Sequence, residues 1–512
     1  MQLRNVLKNI EPLHIAEDFY GDVQDICYDS RHVQENSLFV AIPGLKVDGH
    51  DYIGEAIDRG AKFIVHEKEY LPPPGIIGIQ VKDCRRTLGI LGKNFFRDPS
   101  SRLCLIGVTG TNGKTTVTYL LESILREAGF RVGVLGTVNY RFNKKVLPAP
   151  NTTPESYDMQ KILRVMVDEG ITHVIAEVSS HAADLKRIDD CTFEMGIFTN
   201  LTQDHLDYHG TMENYFQAKK RFFDEVIPAG KKIQKFMIVN ADDPWGQRLL
   251  KEVHKDTSSL TYGIENRCDM IADTFTFSLE KTKADILMGK NRFSISSPLI
   301  GKFNLYNILA ASLAAASLKI PGKIIRTGIA KLKKVPGRLE RVNKPGQPGV
   351  FVDYAHTDDA IRRVLQSLSS FKKRKIITVF GCGGDRDRSK RPLMGKAAAS
   401  LSDITIVTSD NPRTEKPLSI IEEIERGIQE ISLKKFHPGL LGQDEVGKGY
   451  TVIPDRKEAI IKAVSTADAS DIVFIAGKGH ENYQIIGKTR IPFDDRKIAK
   501  AALQDRSKGD IH

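Results

Sequence analysis

The chain has 512 residues, 41% of them hydrophobic and 27% charged, with a formal net charge of +11 and a pI near 9.1. This is the composition of an ordinary globular protein of roughly three domains, and no apolar run approaches the ~18 residues that a spanning helix needs. The basic residues are spread out, with no long Lys/Arg run and no aromatic-rich basic stripe, so we expect a basic surface or a cleft for small anions and no nucleic-acid partner.

The start, "MQLRNVLKNIEPLHIAED", carries charges where a signal peptide needs an apolar stretch, which predicts a cytoplasmic protein without membrane insertion. The cysteines at 27, 84, 104, 191, 268 and 382 have no CxxC or CxxH spacing, so reduced thiols are expected rather than structural zinc or disulfides.

Three blocks follow one another. Residues 1–98 hold short strand-like pieces ("SLFVAIPG", "KFIVHE", "IIGIQV") around a helical "IGEAIDRGA", and end at the polar cluster "FFRDPSSR". Residues 99–335 begin with "LCLIGVTG" and end before Pro336-Gly337, with "LAASLAAASL" from Leu309 reading as a buried helix. Residues 336–512 include "GVFVDYAHT" and close on a charged tail. In the second and third blocks, β-rich runs stop in Gly-, Thr-, Asn- or Asp-rich loops, and a helical pattern usually follows. The runs include "VGVLGT", "HVIAEVSSH", "GIFTNLTQDH" and "FMIVNADD", then "IITVFGCGGD", "ITIVTSDN" and "IVFIAGKGH". That grammar predicts an α/β fold with parallel sheets covered on both faces, and ligands beyond the carboxyl ends of the strands.

The strongest single signal is "GVTGTNGKTTV", Gly107 to Val117, placed between a strand and a helix. Gly110 and Gly113 allow backbone N–H groups to close around phosphate oxygens; Lys114 can neutralise the β/γ charge, and the Thr115 hydroxyl suits Mg²⁺. The helix N-terminus adds partial positive charge. In the usual G-x-x-x-x-G-K-[ST] pattern the first Gly would fall at Val108; here Gly107 stands one step early. A nucleoside triphosphate is expected to bind. Glu177 and His205 are strand-end candidates for a cation held mainly by oxygen, which favours Mg²⁺ or Mn²⁺ over zinc.

"GTNGKTT", "NTTPES", "EVSSHA", "FTNLTQDHLDYHGTMENYFQAKK", "GKFNLYNILAA", "VPGRLERV", "DYAHT", "GCGGDRDRSKRPLM" and "AGKGHE" occur in this order. Together they resemble the signature of the Mur ligases, the ATP-dependent amino-acid-adding enzymes of peptidoglycan precursor synthesis, over essentially the whole chain. The likeness is strongest to the member that adds the third residue of the stem peptide.

The resemblance implies a uridine-nucleotide-binding domain at 1–98, a central P-loop ATPase-like domain at 99–335 and a Rossmann-like amino-acid-binding domain at 336–512. It implies that an acyl phosphate forms from a substrate carboxylate and ATP, and is then attacked by an amine. By the same likeness Gly110, Thr111, Asn112, Gly113, Lys114, Thr115 and Thr116 hold the triphosphate. Asn304, Asn307, Arg338, Asp353 and His356 complete the ATP site. Thr115, Glu177, His205 and Lys219 serve the metal, Lys219 as a carbamate; its neighbour Lys220 is set aside by motif alignment alone. Ser30, Thr152, Thr153, Ser179 and Arg187 are expected along UDP-N-acetylmuramoyl-L-alanyl-D-glutamate. Asp358 stands where relatives often have Pro, and Leu185 where some have Gln.

The amine pocket is expected at Arg386, Asp410, Asn411, Pro412, Arg413, Gly477 and Glu481. A planar Arg in "DNPR" can grip the second carboxylate of meso-diaminopimelate, which lysine lacks, while Glu481 suits the distal ammonium. A monomer is expected. The alternatives are the same ligase using L-lysine, a folylpolyglutamate-synthase-like ligase without the first block, and a nucleic-acid-stimulated P-loop NTPase.

Overall fold

The computed structural model describes all residues except 16–19, 45–46, 254–256, 345, 444–446 and 510–512. Its strands gather into three main sheets. The first runs in the order His14–Ile15, Ile77–Gln80, Ala61–His66, Ser37–Val40, Ile26–Cys27, parallel except for its first strand. The helix Cys84–Phe95 lays an apolar face on it and starts at Asp83, whose side chain accepts from Arg86 N.

The second sheet has 11 strands. Its middle is parallel, in the order Ser258–Gly263, Phe236–Asn240, Met195–Phe198, Cys104–Thr109, His173–Glu177, Val132–Leu135. Apart from the first half of Ser258–Gly263, these strands are almost wholly buried, as an apolar run sandwiched between helices must be. The chain winds one way from Cys104–Thr109 through Val132–Leu135 and His173–Glu177, then the other way from Met195–Phe198. The strand Cys104–Thr109 therefore lies at the switch point, where open α/β sheets bind ligands. Both edges depart from the purely parallel expectation: the hairpin Tyr140–Phe142/Lys145–Leu147 extends one, and Met270–Phe277, Thr282–Met288 and Asn291–Ser297 extend the other with antiparallel pairs. The helix Lys302–Ser317 crosses the sheet face almost fully buried.

The third sheet has seven strands, in the order Glu340–Arg341, Gly349–Asp353, Ile472–Ala476, Ile376–Phe380, Ile404–Val407, Gly449–Val452, Lys434–Lys435. All neighbours but the first pair run parallel, with apolar clusters on both faces. Among the described residues no helix is long and apolar enough to cross a membrane, and all six cysteines are free.

Candidate active site

The loop from Gly110 to Gly113 joins the strand Cys104–Thr109 to the helix Lys114–Glu127. Its tightness depends on two glycines. Gly110 has φ +137° and a Cβ there would meet Thr199 Oγ1 at 2.0 Å; Gly113 has φ +92° and a Cβ would meet Asn307 Oδ1 at 2.4 Å. The loop is braced by the next strand's end: Asn112 N donates to Asn200 Oδ1 at 3.0 Å, and Thr199 Oγ1 donates to Asn112 O at 2.6 Å. Lys114 folds back to donate to the carbonyls of Gly110 (2.7 Å) and Thr111 (2.9 Å). Burial lowers its pKa, and Glu177 and Asp204 oppose that shift.

Below the loop lies Lys219, only 2% exposed, whose Nζ also donates to Gly110 O, at 3.1 Å. Burial, with Lys114 adding to it, drives its pKa well below the usual lysine value. Across the loop, Glu177 is 1% exposed at the end of its strand. Its carboxylate accepts from Thr137 N at 3.1 Å and Thr137 Oγ1 at 2.8 Å. His205 starts a short helix in a left-handed conformation, φ +54°. Its side chain is 44% exposed, its Nε2 lies 3.5 Å from Asp204 Oδ2, and partial desolvation in the cleft lowers its pKa.

The facing wall comes from the third sheet. Arg338 donates to Thr115 Oγ1 at 3.0 Å, and its guanidinium lies 4.6 Å from the centroid of the Tyr354 ring. Asp353, at the end of Gly349–Asp353, accepts from Leu339 N at 2.5 Å and Ala355 N at 2.7 Å, so it fixes the turn that aims Arg338. His356 Nε2 lies 3.9 Å from Asp204 Oδ2. Asn112 Nδ2 donates to Asp359 Oδ2 at 3.3 Å across the same gap. A cavity of about 450 Å³ lies between the walls, lined by Thr111 to Thr116, Thr152, Glu177, Ser179, His205, Asn307, Arg338, Asp353 and His356 among others.

Asn304, Thr153, Arg187 and Ser30 do not line this cavity, whereas Ser179 does. Asn304 points away from the cavity: its Nδ2 donates to Ile300 O at 2.9 Å and its Oδ1 accepts from Asn307 at 3.2 Å. One helical turn separates the two asparagines, and Asn307 is the one that reaches the loop. Thr153 is buried, donating to Glu177 O at 2.7 Å and accepting from Ser179 N at 3.1 Å. Ser179 caps a short helix, and Arg187 lies 3.1 Å from Glu155 Oε2. Ser30 stands apart in the first sheet's layer, donating to Glu55 Oε2 at 3.0 Å.

A second polar cluster lies at the strand ends of the third sheet. Asn411 Nδ2 donates to Glu481 Oε2 at 2.9 Å, and Arg413, at φ +50°, donates through Nη1 to Gly384 O at 2.7 Å. Burial and the nearby guanidinium of Arg386 both lower the Arg413 pKa. Gly477, at φ +113°, lets Asp410 approach; a Cβ would meet Asp410 Oδ2 at 2.5 Å. The carbonyl of Pro412 packs where a Cβ on Gly384 would lie, at 1.9 Å, so the turn also closes against the "GCGGD" loop.

Three family models match in chain order: the Mur ligase family catalytic domain over residues 22–96, the Mur ligase middle domain over 108–315, and the Mur ligase glutamate ligase domain over 337–479. The chain belongs to the Mur ligase family. Among curated relatives, the UDP-N-acetylmuramoyl-L-alanyl-D-glutamate--2,6-diaminopimelate ligase of Geobacter sulfurreducens is 43% identical with 100% of each chain covered, and that of Solibacter usitatus is 44% identical with 98% of each covered. A solved ligase structure of the same name is 31% identical and covers 99% of both chains, with a TM-score of 0.69. Folylpolyglutamate synthase of Mycobacterium tuberculosis, with ADP and AMPPCP, covers 76% of this chain at 17% identity and a TM-score of 0.60, a likeness of fold alone.

The site of this Mur ligase also contains residues that sequence reasoning passed over. Asp204 stands between His205 and His356, Thr137 occupies both oxygens of Glu177, and Thr199 and Asn200 brace the loop. All but Thr137 sit in "FTNLTQDH", which was legible as a motif but not as separate roles. Lys478 of "AGKGHE" is buried in the second cluster.

Proposed function

We propose that this Mur ligase joins meso-diaminopimelate to a carboxylate of UDP-N-acetylmuramoyl-L-alanyl-D-glutamate at the expense of ATP, through an acyl phosphate. The observation that carries this reading is the second cluster. Arg413 and Arg386 stand beside Glu481 and Asn411, a set complementary to an amino-acid head with one carboxylate and one ammonium. The names of its full-length relatives support it.

In this reading Gly110 to Thr116 cradle the triphosphate, and Lys114, released from the loop carbonyls, neutralises its terminal charge. Arg338 moves from the Thr115 hydroxyl to the γ-phosphoryl group. One oxygen of the substrate carboxylate attacks γ-phosphorus and ADP leaves. The amine then attacks the acyl carbon, a proton is lost from nitrogen, and phosphate departs with that carboxylate oxygen. Each step is chiefly positioning and charge neutralisation. Closure of the two walls keeps water from the acyl phosphate.

Among the described residues no three His, Cys, Asp or Glu side chains gather to hold a metal. The Thr115 hydroxyl, the Glu177 carboxylate and His205 instead lie around the phosphate loop. That donor set fits Mg²⁺, which takes few protein ligands and completes its shell with phosphate oxygens and water. Bound there, Mg²⁺ would offset charge on the phosphate oxygens. Lys219 fits carbamylation: burial and the neighbouring Lys114 lower its pKa, which favours the neutral amine, the form that adds CO₂. A carbamate would face Lys114 with opposite rather than like charge.

Thr152, Ser179 and Arg187 would hold the peptide end of the nucleotide substrate, with Thr153 bracing Ser179 from behind, and Ser30 would hold its far end. One chain carries every wall of the site, so we expect it to act as a monomer, in the cytoplasm where ATP and the nucleotide substrate are available. The test is phosphate release from ATP and the UDP-muramoyl dipeptide with meso-diaminopimelate, L-lysine or L-ornithine in parallel. The reading predicts release with meso-diaminopimelate far above the other two. Equal release with lysine, or release without any amine, would overturn it.

A further inference from the structure

Lys478 follows the strand Ile472–Ala476, between Gly477 and Gly479, both at positive φ. Its side chain is 0% exposed. A buried ammonium is tolerated only where partners meet it, and here the partners are the residues of the amine pocket. Nζ donates to Asn411 Oδ1 at 2.9 Å and to Glu481 Oε2 at 3.0 Å, and it lies 3.8 Å from Asp410 Oδ1.

These bonds determine how the pocket presents itself. Asn411 Oδ1 also accepts from Ile485 N at 2.9 Å, so two donors saturate that oxygen and the amide can face only one way. Its Nδ2 donates one hydrogen to Glu481 Oε2 and keeps the other. Glu481 receives both bonds on Oε2, and among the described residues none donates to Oε1. One N–H and one carboxylate oxygen are thereby left unspent in fixed directions. The loop is itself pinned to the ATP side: a Cβ on Gly479 would meet Gly337 O at 2.8 Å, beside Arg338.

We propose that Lys478 is the positioning residue of the amine pocket, locking Asn411 and Glu481 so that the free N–H meets the distal carboxylate of the incoming amino acid and Glu481 Oε1 its distal ammonium. Being fully buried, it acts through these two side chains and does not touch substrate. The inference rests on the reading of this cluster as the diaminopimelate site.

The test is steady-state kinetics of Lys478→Met, Asn411→Ala and the double variant, with wild-type activity on meso-diaminopimelate measured first. Lys478→Met should raise the KM for meso-diaminopimelate about 10- to 100-fold, the range of one charge-assisted hydrogen bond, and leave the KM for ATP within about twofold. The double variant should be no worse than Asn411→Ala alone, because both substitutions break one connected unit. If the KM values for both substrates rise together, or the two effects multiply, Lys478 is merely structural and the inference falls. Should Lys478→Met lose its ATP-induced thermal shift, Lys478→Gln, which keeps a donor, is judged by the same criteria. A wild type inactive on meso-diaminopimelate refutes the proposed function; an active wild type with an unchanged KM in Lys478→Met refutes this inference alone.

Discussion

Replacing Lys219 with alanine separates two accounts of the same buried nitrogen. Lys219 and Lys114 both donate to Gly110 O, at 3.1 and 2.7 Å, so their nitrogens are at most about 6 Å apart. At an effective dielectric of about 20, two like charges at that distance repel by roughly 3 kcal/mol, and opposite charges attract by as much. A carbamate on Lys219 would therefore hold Lys114 in place by about 3 kcal/mol, worth about 100-fold in rate if the restraint is felt only at the transition state. We expect Lys219→Ala to lose at least that factor in kcat and to regain part of it with acetate or propionate, which supply the missing anion. Wild-type enzyme depleted of CO₂ should fall in the same direction. The assay is phosphate release at saturating substrates. Rescue by alkylamines instead of carboxylates, or unaltered turnover, would refute the carbamate.

The remaining predictions concern single contacts. Lys114→Ala should lower turnover by about 10²–10³ or more, the scale of a lost charge-stabilising group, read in the same phosphate assay. Arg413→Ala should raise the KM for meso-diaminopimelate about 100-fold, since two charge-assisted bonds are removed, and change that for ATP less than about threefold. His209, 7% exposed and hydrogen-bonded to Ser180 Oγ at 2.9 Å, has its pKa lowered by burial to about 4. The unfolded chain binds a proton at this residue near pH 6.5 and the folded chain does not. Its contribution is therefore intact above about 6.5 and is lost as pH falls towards 4. That window corresponds to up to ~3 kcal/mol, and about 1–2 kcal/mol after partial solvent screening. Urea unfolding at pH 7.5 and 5.0 should show this loss in wild type and a smaller one in His209→Gln.

Much of this architecture could be read from the chain because parallel α/β folds write themselves locally. Each apolar run before a polar loop became a strand ending at a site, and the phosphate loop lies at the switch point of its sheet. What escaped was set by non-local geometry. The antiparallel strands from Met270 to Ser297 alternate weakly and carry no helix between them, so their place on the sheet edge depends on pairing that the sequence does not display. Asn304 and Asn307 look equivalent in "FNLYN", yet helix phase turns one to the carbonyl of Ile300, just before the helix, and the other to the loop. Lys478 sits among glycines, and nothing local to "AGKGHE" shows that the converging strand ends bury it against Asn411 and Glu481.

The most direct measurement follows one oxygen atom. The UDP-muramoyl dipeptide, ¹⁸O-labelled in its carboxylates, is incubated with ATP, Mg²⁺, meso-diaminopimelate and the enzyme, and the released phosphate is examined by mass spectrometry. An acyl phosphate resolved by the amine must transfer one labelled oxygen to each phosphate, with one amide formed per label. Unlabelled phosphate, or labelled phosphate formed in equal amount without meso-diaminopimelate, would contradict the account.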